Sequence, residues 1–162
     1  MDASPILGEV LKAMNHHRLE AVMIGNAAGA LHGAPVTTMD IDFMFRETPL
    51  NLRKLKAVAK SLGGVIMRPY YPVSKLYRVC NDDKGIQIDF LSVIHGIRSF
   101  EGIKARSEEV TVCGERLRLA SLADIIKSKR TAGRARDLAV LPVLEETLKL
   151  QKEIRNPDES QR

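Results

Sequence analysis

The chain has 162 residues, of which 44% are hydrophobic and 28% charged, a composition typical of one soluble globular domain with its own core. No apolar run approaches the roughly 18 residues of a membrane-spanning helix and no charged-then-apolar leader is seen, so we expect neither a membrane protein nor a secreted one, but a cytoplasmic one. Lys and Arg outnumber Asp and Glu by 25 to 20, for a formal charge of +5, and aromatic residues make up only 4%, which argues against a base-stacking platform for single-stranded nucleic acid.

The first predicted helix begins at Ser4 and Pro5, where serine suits the cap and proline suits the first turn. Apolar side chains follow at helical spacing and predict packing on a sheet. His16 and His17 near its end point about 100° apart on a helix. Because no acid or cysteine stands at ligand spacing, we interpret both as exposed residues and not as metal ligands.

A strand, a tight turn and a helix are predicted in succession after the first helix. Ala21–Ile24 is a short apolar run, Gly25 and Asn26 form a turn, and Ala27–Leu31 is small and helix-favouring. Such a turn points backbone N–H groups outward, where they can hold a phosphate. For His32, which follows, we favour a packing or hydrogen-bonding role over catalysis.

A close pair of carboxylates, Asp40 and Asp42, lies in Met39–Phe45, a segment that alternates with the period of a strand. Both carboxylates would project from one face about 7 Å apart. They repel each other there, and a divalent cation between them is a common reason for such a pair. Thr37 and Thr38, just before the pair, carry hydroxyls that can bond the backbone or a phosphate.

One helix and three strands are predicted in the middle of the chain, where the apolar period changes from helical to alternating. They are a helix over about Leu50–Leu62 that is capped by Thr48–Pro49 and ended by Gly63–Gly64, a strand from Val65 to Met67, and a hairpin of Leu76–Cys80 and Ile86–Ile94. Asp82 and Asp83 in the hairpin turn are interpreted as solvated.

Asp89 is the only acid among apolar neighbours, and a lone buried carboxylate needs a partner. If its strand pairs beside Met39–Phe45, Asp89 reaches the same metal pair.

The C-terminal part is predicted to hold a short hairpin and then helices. The elements are a hairpin of Glu109–Val112 and Glu115–Leu119, a helix capped by Ser121, and, if Gly133 breaks that helix, a second one from about Arg134 to Ile154 with a kink or restart at Pro142. Gly133 is equally consistent with a single helix. One domain over residues 1–155 is expected, helical from about residue 121, with a polar tail over 156–162.

The segment Lys127–Arg136 carries several basic residues and no acid. They are Lys127, Lys129, Arg130, Arg134 and Arg136. Such a run predicts either a positive patch that holds a triphosphate or an RNA backbone, or a solvated helix face. Arg134 can also pair with Asp137, three residues further along a helix.

The glycine turn, the Asp40-x-Asp42 pair and the lone Asp89 resemble the nucleotidyltransferase fold of the DNA polymerase β superfamily. The stretches LHGAPVTTMDIDF and SLADIIKSKRTAGRARDLAVL resemble its small bacterial branch that includes the abortive-infection (AbiEii-type) toxin nucleotidyltransferases. The resemblance covers roughly Ala21–Leu141. It implies an α/β (α+β) fold in which a small mixed sheet carries the acids, helices flank it, and a helical C-terminal part follows.

The resemblance also implies a site. Asp40 and Asp42 would bind Mg²⁺ or Mn²⁺ on a nucleoside triphosphate, with Asp89 as the third acid in catalysis and metal binding. The implied nucleotide contacts are Gly25, Asn26, Thr38 and Lys129. Two positions depart from the family pattern: Asn26 stands where glycine or serine is usual, and Val140 stands where a second acid often follows Arg-x-Lys/Arg-Asp.

The implied activity is transfer of a nucleoside monophosphate from ATP or another NTP to a hydroxyl of tRNA or another RNA, of a protein or of a small molecule. The implied setting is a toxin–antitoxin type of system, with a homodimer or a cognate antitoxin as partner. The two departures support other hypotheses: a nucleotide- or nucleic-acid-binding module with reduced turnover, or a partner subunit. Retention of Lys129 and three mutually repelling acids favours the enzyme, because a decayed site has no physical reason to keep them.

Overall fold

Six α-helices and one seven-stranded sheet form within residues 4–38 and 40–158, which are the residues that the computed structural model describes. The helices are α1 (Ser4–His16), α2 (Gly25–Leu31), α3 (Pro49–Ser61), α4 (Phe100–Arg106), α5 (Leu122–Ala132) and α6 (Ala135–Arg155). The strands are β1 (Ala21–Ile24), β2 (Ile41–Phe45), β3 (Val65–Met67), β4 (Leu76–Asn81), β5 (Ile86–Leu91), β6 (Glu108–Val112) and β7 (Glu115–Leu119). None of the helices in these residues is both long enough and apolar enough to cross a membrane.

The strands lie side by side in the order β3-β4-β5-β2-β1-β7-β6. The pairs β2–β5 and β1–β7 are parallel, and the remaining pairs are antiparallel. This mixed sheet with flanking helices confirms the predicted fold class. Phe43, Met44 and Phe45 of the central strand β2 are all fully buried, as expected for a strand that is covered on both faces. Met39, at the start of the predicted strand, lies outside the described residues.

The helices on the sheet are held by apolar packing and by one buried polar network. Helix α1 packs on β7 and α3, and α2 packs on β1, β2 and α5. Thr48 caps α3 as predicted, because its hydroxyl accepts the N–H of Asn51 at 3.1 Å. The buried amide of Asn51 bonds the backbone of Glu20 and Arg46. The network fixes the start of α3 at the end of β2 that is remote from Asp42.

Several predicted boundaries in the first two thirds of the chain are corrected by the structure. Helix α1 already includes Ser4, which was predicted to be its cap. The strand predicted to continue to Ile94 ends at Leu91. No element was predicted between Ile94 and Glu109, where α4 forms with Ser99 as its cap: the Ser99 hydroxyl accepts the N–H of Gly102 at 3.0 Å. A helix of only seven residues is too short to show a clear apolar period.

The alternatives left open near the C-terminus are decided by the backbone. Gly133 ends α5, because it adopts a φ of +65° and donates its N–H to the carbonyl of Lys129, the left-handed helix end that glycine favours. Helix α6 then runs through Pro142 to Arg155 without a restart. The chain turns sharply at Gly133, and α5 and α6 pack together.

Candidate active site

The parallel pairing of β2 and β5 places Asp42 directly opposite Asp89. Asp40, just before β2, is exposed at the same end of the strand. All three side chains line one open cavity of about 940 Å³. The structure therefore brings together the three acids that the sequence singled out, while their catalytic and metal-binding roles stay predictions. Asp82 and Asp83 lie in an exposed 3₁₀ turn outside the residues that line this cavity.

Among the three acids, Asp42 has surroundings that disfavour the negative charge of its carboxylate. Burial and then the negative charges of Asp89 and Asp40 raise the pKa of its carboxyl from 3.8 to about 6, against the opposing charges of Lys129 and Arg78. An ionised carboxylate held in this way gains more than an ordinary one from a cation beside it. The surroundings of Asp42 thus favour the binding of a cation next to its carboxylate.

Gly25 provides the room that Asp42 occupies. A Cβ atom at Gly25 would lie 3.2 Å from Oδ2 of Asp42, and the φ of Gly25 is +71°, a conformation that side chains disfavour. Helix α2 begins at Gly25 itself, so strand and helix follow each other without a separate turn. A residue with a side chain here would be strained and would crowd the carboxylate.

Asp89 already has a partner in Arg78, which lies opposite it on β4. Nε and Nη2 of Arg78 donate to the two carboxylate oxygens at 2.8 and 3.1 Å, and this hydrogen bonding raises the pKa of Arg78. The partner that a lone buried acid needs is therefore a guanidinium. The described residues contain no group of three His, Cys, Asp or Glu side chains arranged to hold a metal ion, so Asp89 as a metal ligand stays a prediction.

Asn26 and Thr38 also line the cavity. Oδ1 of Asn26 is buried and has no hydrogen-bond partner among the described residues, which is uncommon for a buried polar atom. The hydroxyl of Thr38 accepts the N–H of Asp40 at 3.0 Å and lies 3.3 Å from its carbonyl. Thr38 thus holds the backbone that presents Asp40, and the nucleotide contacts predicted for Gly25, Asn26 and Thr38 stay predictions.

Lys129 of α5 reaches the same cavity with a side chain that is only 13% exposed. Its Nζ lies 3.7 Å from Oδ1 of Asp137. Burial lowers the pKa of Lys129, with the charge of Asp137 opposing the shift. Lys129 thus lies on the same cavity as Asp42, and the triphosphate contact predicted for it by family position stays a prediction.

Asp137 of α6 is a buried anchor for two basic side chains. Burial alone would raise its pKa, but the hydrogen bond from Arg134 and the charges of Arg134 and Lys129 lower it overall. Nε of Arg134 donates to Oδ2 of Asp137 at 2.5 Å, which confirms the predicted pair three residues apart. The additional contact with Lys129 was missed, because it depends on the turn at Gly133 that brings α6 back beside α5.

The basic run at residues 127–136 is divided by the fold and does not form one patch. Lys129, Arg134 and Arg136 line the cavity. Lys127 is exposed outside the cavity lining, and Arg130 pairs with Glu145. Only part of the run is therefore placed to meet a ligand in the cavity, and the rest is the solvated helix face that was the alternative.

Two other residues of the predicted stretches have structural roles. Nε2 of His32 lies 2.7 Å from the carbonyl oxygen of Ala120, and Nδ1 lies 3.0 Å from Nε2 of Gln151. His32 thus links α2 to the start of α5 and to α6, as a packing residue would. Val140, at the second departure from the family pattern, packs against the core.

With the site described, comparison with known proteins decides the family. The family model described as "Nucleotidyl transferase of unknown function (DUF2204)" matches residues 3–156, nearly the whole chain. The chain belongs to this nucleotidyltransferase family. No curated protein matches the sequence significantly. The abortive-infection branch suggested by the sequence is not the family that matches.

Solved structures show the same fold at low sequence identity. The solution structure of the antibiotic-resistance factor ANT(2'')-Ia is 15% identical, with a TM-score of 0.64 over 99% of this chain and 95% of that chain. Its crystal structure in complex with adenylyl-2''-tobramycin is 16% identical, with a TM-score of 0.60 over 95% and 97% of the two chains. The nucleotidyltransferase candidate TM1012 of Thermotoga maritima is 17% identical, with a TM-score of 0.62 over 85% and 89%. The nucleotidyltransferase fold thus extends over the whole chain.

Proposed function

We propose that the protein transfers a nucleoside monophosphate from an NTP to a hydroxyl group and releases pyrophosphate. The hydroxyl oxygen attacks the α-phosphorus, the bond from that phosphorus to the α–β bridging oxygen breaks, and the hydroxyl proton passes to a base. The observation that carries the proposal is the placement of Asp42 opposite Asp89, with Asp40 beside them and Lys129 on the same cavity. Membership of a nucleotidyltransferase family supports the same reaction class.

The residues present fit a divalent cation. Asp40 and Asp42 offer the hard carboxylate oxygens that Mg²⁺ or Mn²⁺ prefers, and Gly25 leaves space next to Oδ2 of Asp42. The pKa of Asp42 is raised by burial and then by repulsion from Asp89 and Asp40, and a cation beside the carboxylate offsets both effects. A cation held there would supply charge stabilisation for the phosphates of the nucleotide.

The remaining side chains act either on the nucleotide and its leaving phosphates or on the attacking hydroxyl. Lys129 neutralises charge on the leaving phosphates, in the way that preorganised cations do. Gly25, Asn26 and Thr38 lie close enough to the metal pair to contact the nucleotide. Asp89 is the acid left to position the attacking hydroxyl or to accept its proton, and the two hydrogen bonds from Arg78 orient its carboxylate.

The experiment that tests this proposal is label transfer by wild type and acid variants. Purified protein is incubated with each α-labelled NTP, Mg²⁺ and a cell extract, and the products are separated. Wild type should label an acceptor, and Asp40→Asn and Asp42→Asn should each abolish labelling, because the cation loses a ligand. Asp83→Asn, an acid in the exposed turn, is the matched control and should keep full activity. Unchanged labelling by both site variants would refute the proposal.

Three classes of acceptor fit the reaction: tRNA or another RNA, a protein, and a small molecule. The adenylylated tobramycin in the ANT(2'')-Ia complex gives the small-molecule class a precedent in this fold. The resemblance of the aspartate and lysine stretches to abortive-infection toxins supports the first two classes and a cytoplasmic toxin–antitoxin setting. In that setting a second copy of the chain or a cognate antitoxin would be its partner.

A second candidate function is a nucleotide- or nucleic-acid-binding module, or a partner subunit, with reduced or lost turnover. The observation that favours it is the ion pair of Asp89 with Arg78, because both carboxylate oxygens already accept hydrogen bonds from the guanidinium. A module of this kind would bind Mg²⁺–NTP in calorimetry and transfer no label under any of the conditions above.

A further inference from the structure

The loop between β3 and β4, residues 68–75, places an aromatic side chain at the rim of the cavity. Of the four Phe and three Tyr in the chain, the two that are strongly exposed are Tyr70 and Tyr71, at 80% and 65%. Tyr70 lines the cavity together with Asp42 and Asp89. Arg78, the partner of Asp89, lines the same cavity.

This aromatic loop is held in a defined shape. The guanidinium of Arg68 lies 3.8 Å from the ring centre of Tyr77 and 4.8 Å from that of Tyr71, two cation–π contacts. The carbonyl of Tyr70 accepts the N–H groups of Val73 and Ser74 at 2.8 and 3.2 Å. Tyr71 is thus used to hold the loop, whereas the ring of Tyr70 is left for a ligand.

Tyr70 adopts a φ of +63°, which is a true outlier for a bulky residue. Strained backbone of this kind concentrates at ligand-binding positions, where the surrounding structure maintains it. The strain and the exposure of Tyr70 are both unfavourable for a residue whose only role is packing. Together with its place on the cavity, they indicate a contact with substrate.

The sheet order places Tyr70 on a particular side of Asp42. Gly25 follows β1 and Lys129 lies on the helix after β7, so both are on one side of β2, whereas Asp89, Arg78 and Tyr70 follow in the direction of β5, β4 and the β3–β4 loop. If the proposed function is right, the phosphates occupy the first side and the attacking hydroxyl the second. Tyr70 therefore borders the acceptor.

The charges on the cavity favour an anionic acceptor. Beyond Asp40 and Asp42, the acids that line the cavity are already ion-paired: Asp89 with Arg78, Asp124 with Arg106, and Asp137 with Arg134. Arg98 and Arg136 also line the cavity, are exposed, and have no acidic partner among the described residues. A polycationic acceptor would thus meet unpaired guanidinium groups, whereas a phosphate backbone would be attracted by them.

We propose that the acceptor is the end of a single-stranded nucleic acid with a free 3′ hydroxyl, and that its terminal base stacks on Tyr70. The inference rests on the proposed function and names the substrate of that same site. The low aromatic content of the sequence argues against a platform that stacks several bases, so the proposal is confined to one terminal base on Tyr70. A base offers a planar face to an aromatic ring whatever its identity, so the contact places the end of the strand without reading its sequence.

The test is equilibrium binding of a 5′-fluorescent single-stranded oligoribonucleotide, measured by anisotropy without NTP. Tyr70→Asn removes the ring and keeps a residue that tolerates left-handed backbone, so the variant should fold, and Tyr70→Phe keeps the ring. Val73→Ala is the control, because Val73 is 92% exposed on the same loop but outside the cavity lining. Tyr70→Asn should weaken binding roughly fivefold to a hundredfold, and the other two variants should bind like wild type.

Mg²⁺–NTP affinity of the same variants, measured by calorimetry, separates the possible failures. Unchanged NTP affinity is expected. Loss of NTP affinity in Tyr70→Asn with intact RNA binding would place Tyr70 on the nucleotide side and overturn the inference. The inference about the acceptor would be refuted if the wild-type protein bound NTP but not the oligoribonucleotide, or if it bound tobramycin in preference to the oligoribonucleotide. Either result would leave the proposed function unchanged. Absence of NTP binding would refute the proposed function itself.

Discussion

At the scale of single residues, the site depends on how Asp42 is accommodated. Its carboxylate lies against Gly25 on one side and opposite Asp89 on the other, and burial and then the charges of Asp89 and Asp40 raise its pKa. Asp89, in contrast, has the guanidinium of Arg78 as an ion-pair partner. Two acids of similar appearance in the sequence thus have different electrostatic surroundings, and variants of the residues around Asp42 can measure that difference.

The contact between Gly25 and Asp42 predicts an effect on ligand binding that exceeds its effect on folding. Gly25→Ala and Gly85→Ala should both destabilise the fold by about 1–2 kcal/mol, because the two glycines have φ angles of +71° and +67°. A Cβ atom at Gly85 meets nothing within 4 Å, whereas one at Gly25 crowds Oδ2 of Asp42. Thermal melts and calorimetry should show that only Gly25→Ala weakens Mg²⁺–NTP binding. Equal affinity in both variants would remove Gly25 from the site.

The pKa of Asp42 predicts a pH dependence of stability in the absence of divalent cations. The folded-state pKa of about 6 exceeds the ordinary 3.8, so between these values the folded protein holds a proton that the unfolded chain has released. The contribution of Asp42 to the free energy of unfolding therefore falls as pH rises from about 4 to 6. Asp42→Asn should melt progressively higher than wild type across this window and keep a constant advantage above it.

The matched control for that measurement is Asp83→Asn. Asp83 is exposed in the 3₁₀ turn after β4, so its replacement should change the melting temperature little at any pH. A difference between wild type and Asp42→Asn that is independent of pH would show that Asp42 is not in the strained state described above.

Replacement of Asp89 is predicted to lower the rate of nucleotide transfer and to leave the affinity for Mg²⁺–NTP nearly unchanged. Asp40 and Asp42 can hold a metal-bound nucleotide without it, so Asp89→Asn should leave Mg²⁺–NTP affinity within a few-fold. Turnover should fall by about a hundredfold or more, the usual scale for a positioned base. Single-turnover transfer and calorimetry measure the two effects, and a thermal melt checks that the unpaired Arg78 has not unfolded the sheet. Lost affinity with an intact rate would make Asp89 a structural or metal-holding residue.

At the scale of elements, the site is assembled by two junctions: the parallel pair β2–β5 and the turn between α5 and α6. The first aligns the carboxylates, and the second brings Lys129 of α5 and Arg134, the residue before α6, to Asp137 at the cavity. Lys129 lies on the cavity side of α5 with its side chain mostly buried, whereas Lys127, two residues earlier, is exposed. The orientation of α5 thus separates a ligand-binding lysine from a solvated one.

This separation predicts different effects of two lysine substitutions. Lys129→Ala should weaken NTP binding roughly tenfold or more, the scale of a lost hydrogen bond to a charged group, and Lys127→Ala should change it little. Asp137 keeps Arg134 as a partner in Lys129→Ala, so the fold should survive. The weakening should diminish at high salt, because screening reduces the contribution of Lys129 in wild type. Equal, negligible effects would return the whole run to a solvated helix face.

The sequence predicted the parts of the site that can be recognised from a short stretch of residues. The pair of aspartates, the lone acid in an apolar strand and the glycine after β1 are all local features, and the structure brings them to one cavity. The separate turn predicted at Gly25 and Asn26 is instead the start of α2. Arg78 was missed because only the register of β4 against β5 reveals it. The contact between Lys129 and Asp137 was missed because it depends on Gly133 ending α5, an alternative that the helical period does not decide. Helix α4 was missed because it is short.

At the scale of the whole molecule, fold and charge distribution point in the same direction. The described chain forms a nucleotidyltransferase fold in which five acids and five Lys or Arg residues line one cavity. Among those basic residues, Arg98 and Arg136 have no acidic partner among the described residues. The formal charge of +5 is therefore distributed in a way that suits phosphate-bearing substrates. The position of a label in the NTP distinguishes nucleotidyl transfer from the transfer of a terminal phosphate.

The measurement that tests the central claim most directly compares two labels in the same NTP. Wild-type protein, Mg²⁺ and a cell extract are incubated with NTP labelled at the α-phosphate or at the γ-phosphate. If the protein is a nucleotidyltransferase, the α-label should appear in the acceptor and the γ-label in pyrophosphate, and both should disappear with Asp42→Asn. Label from the γ-position in the acceptor, or transfer that is unchanged in Asp42→Asn, would contradict the mechanism and the site on which it rests.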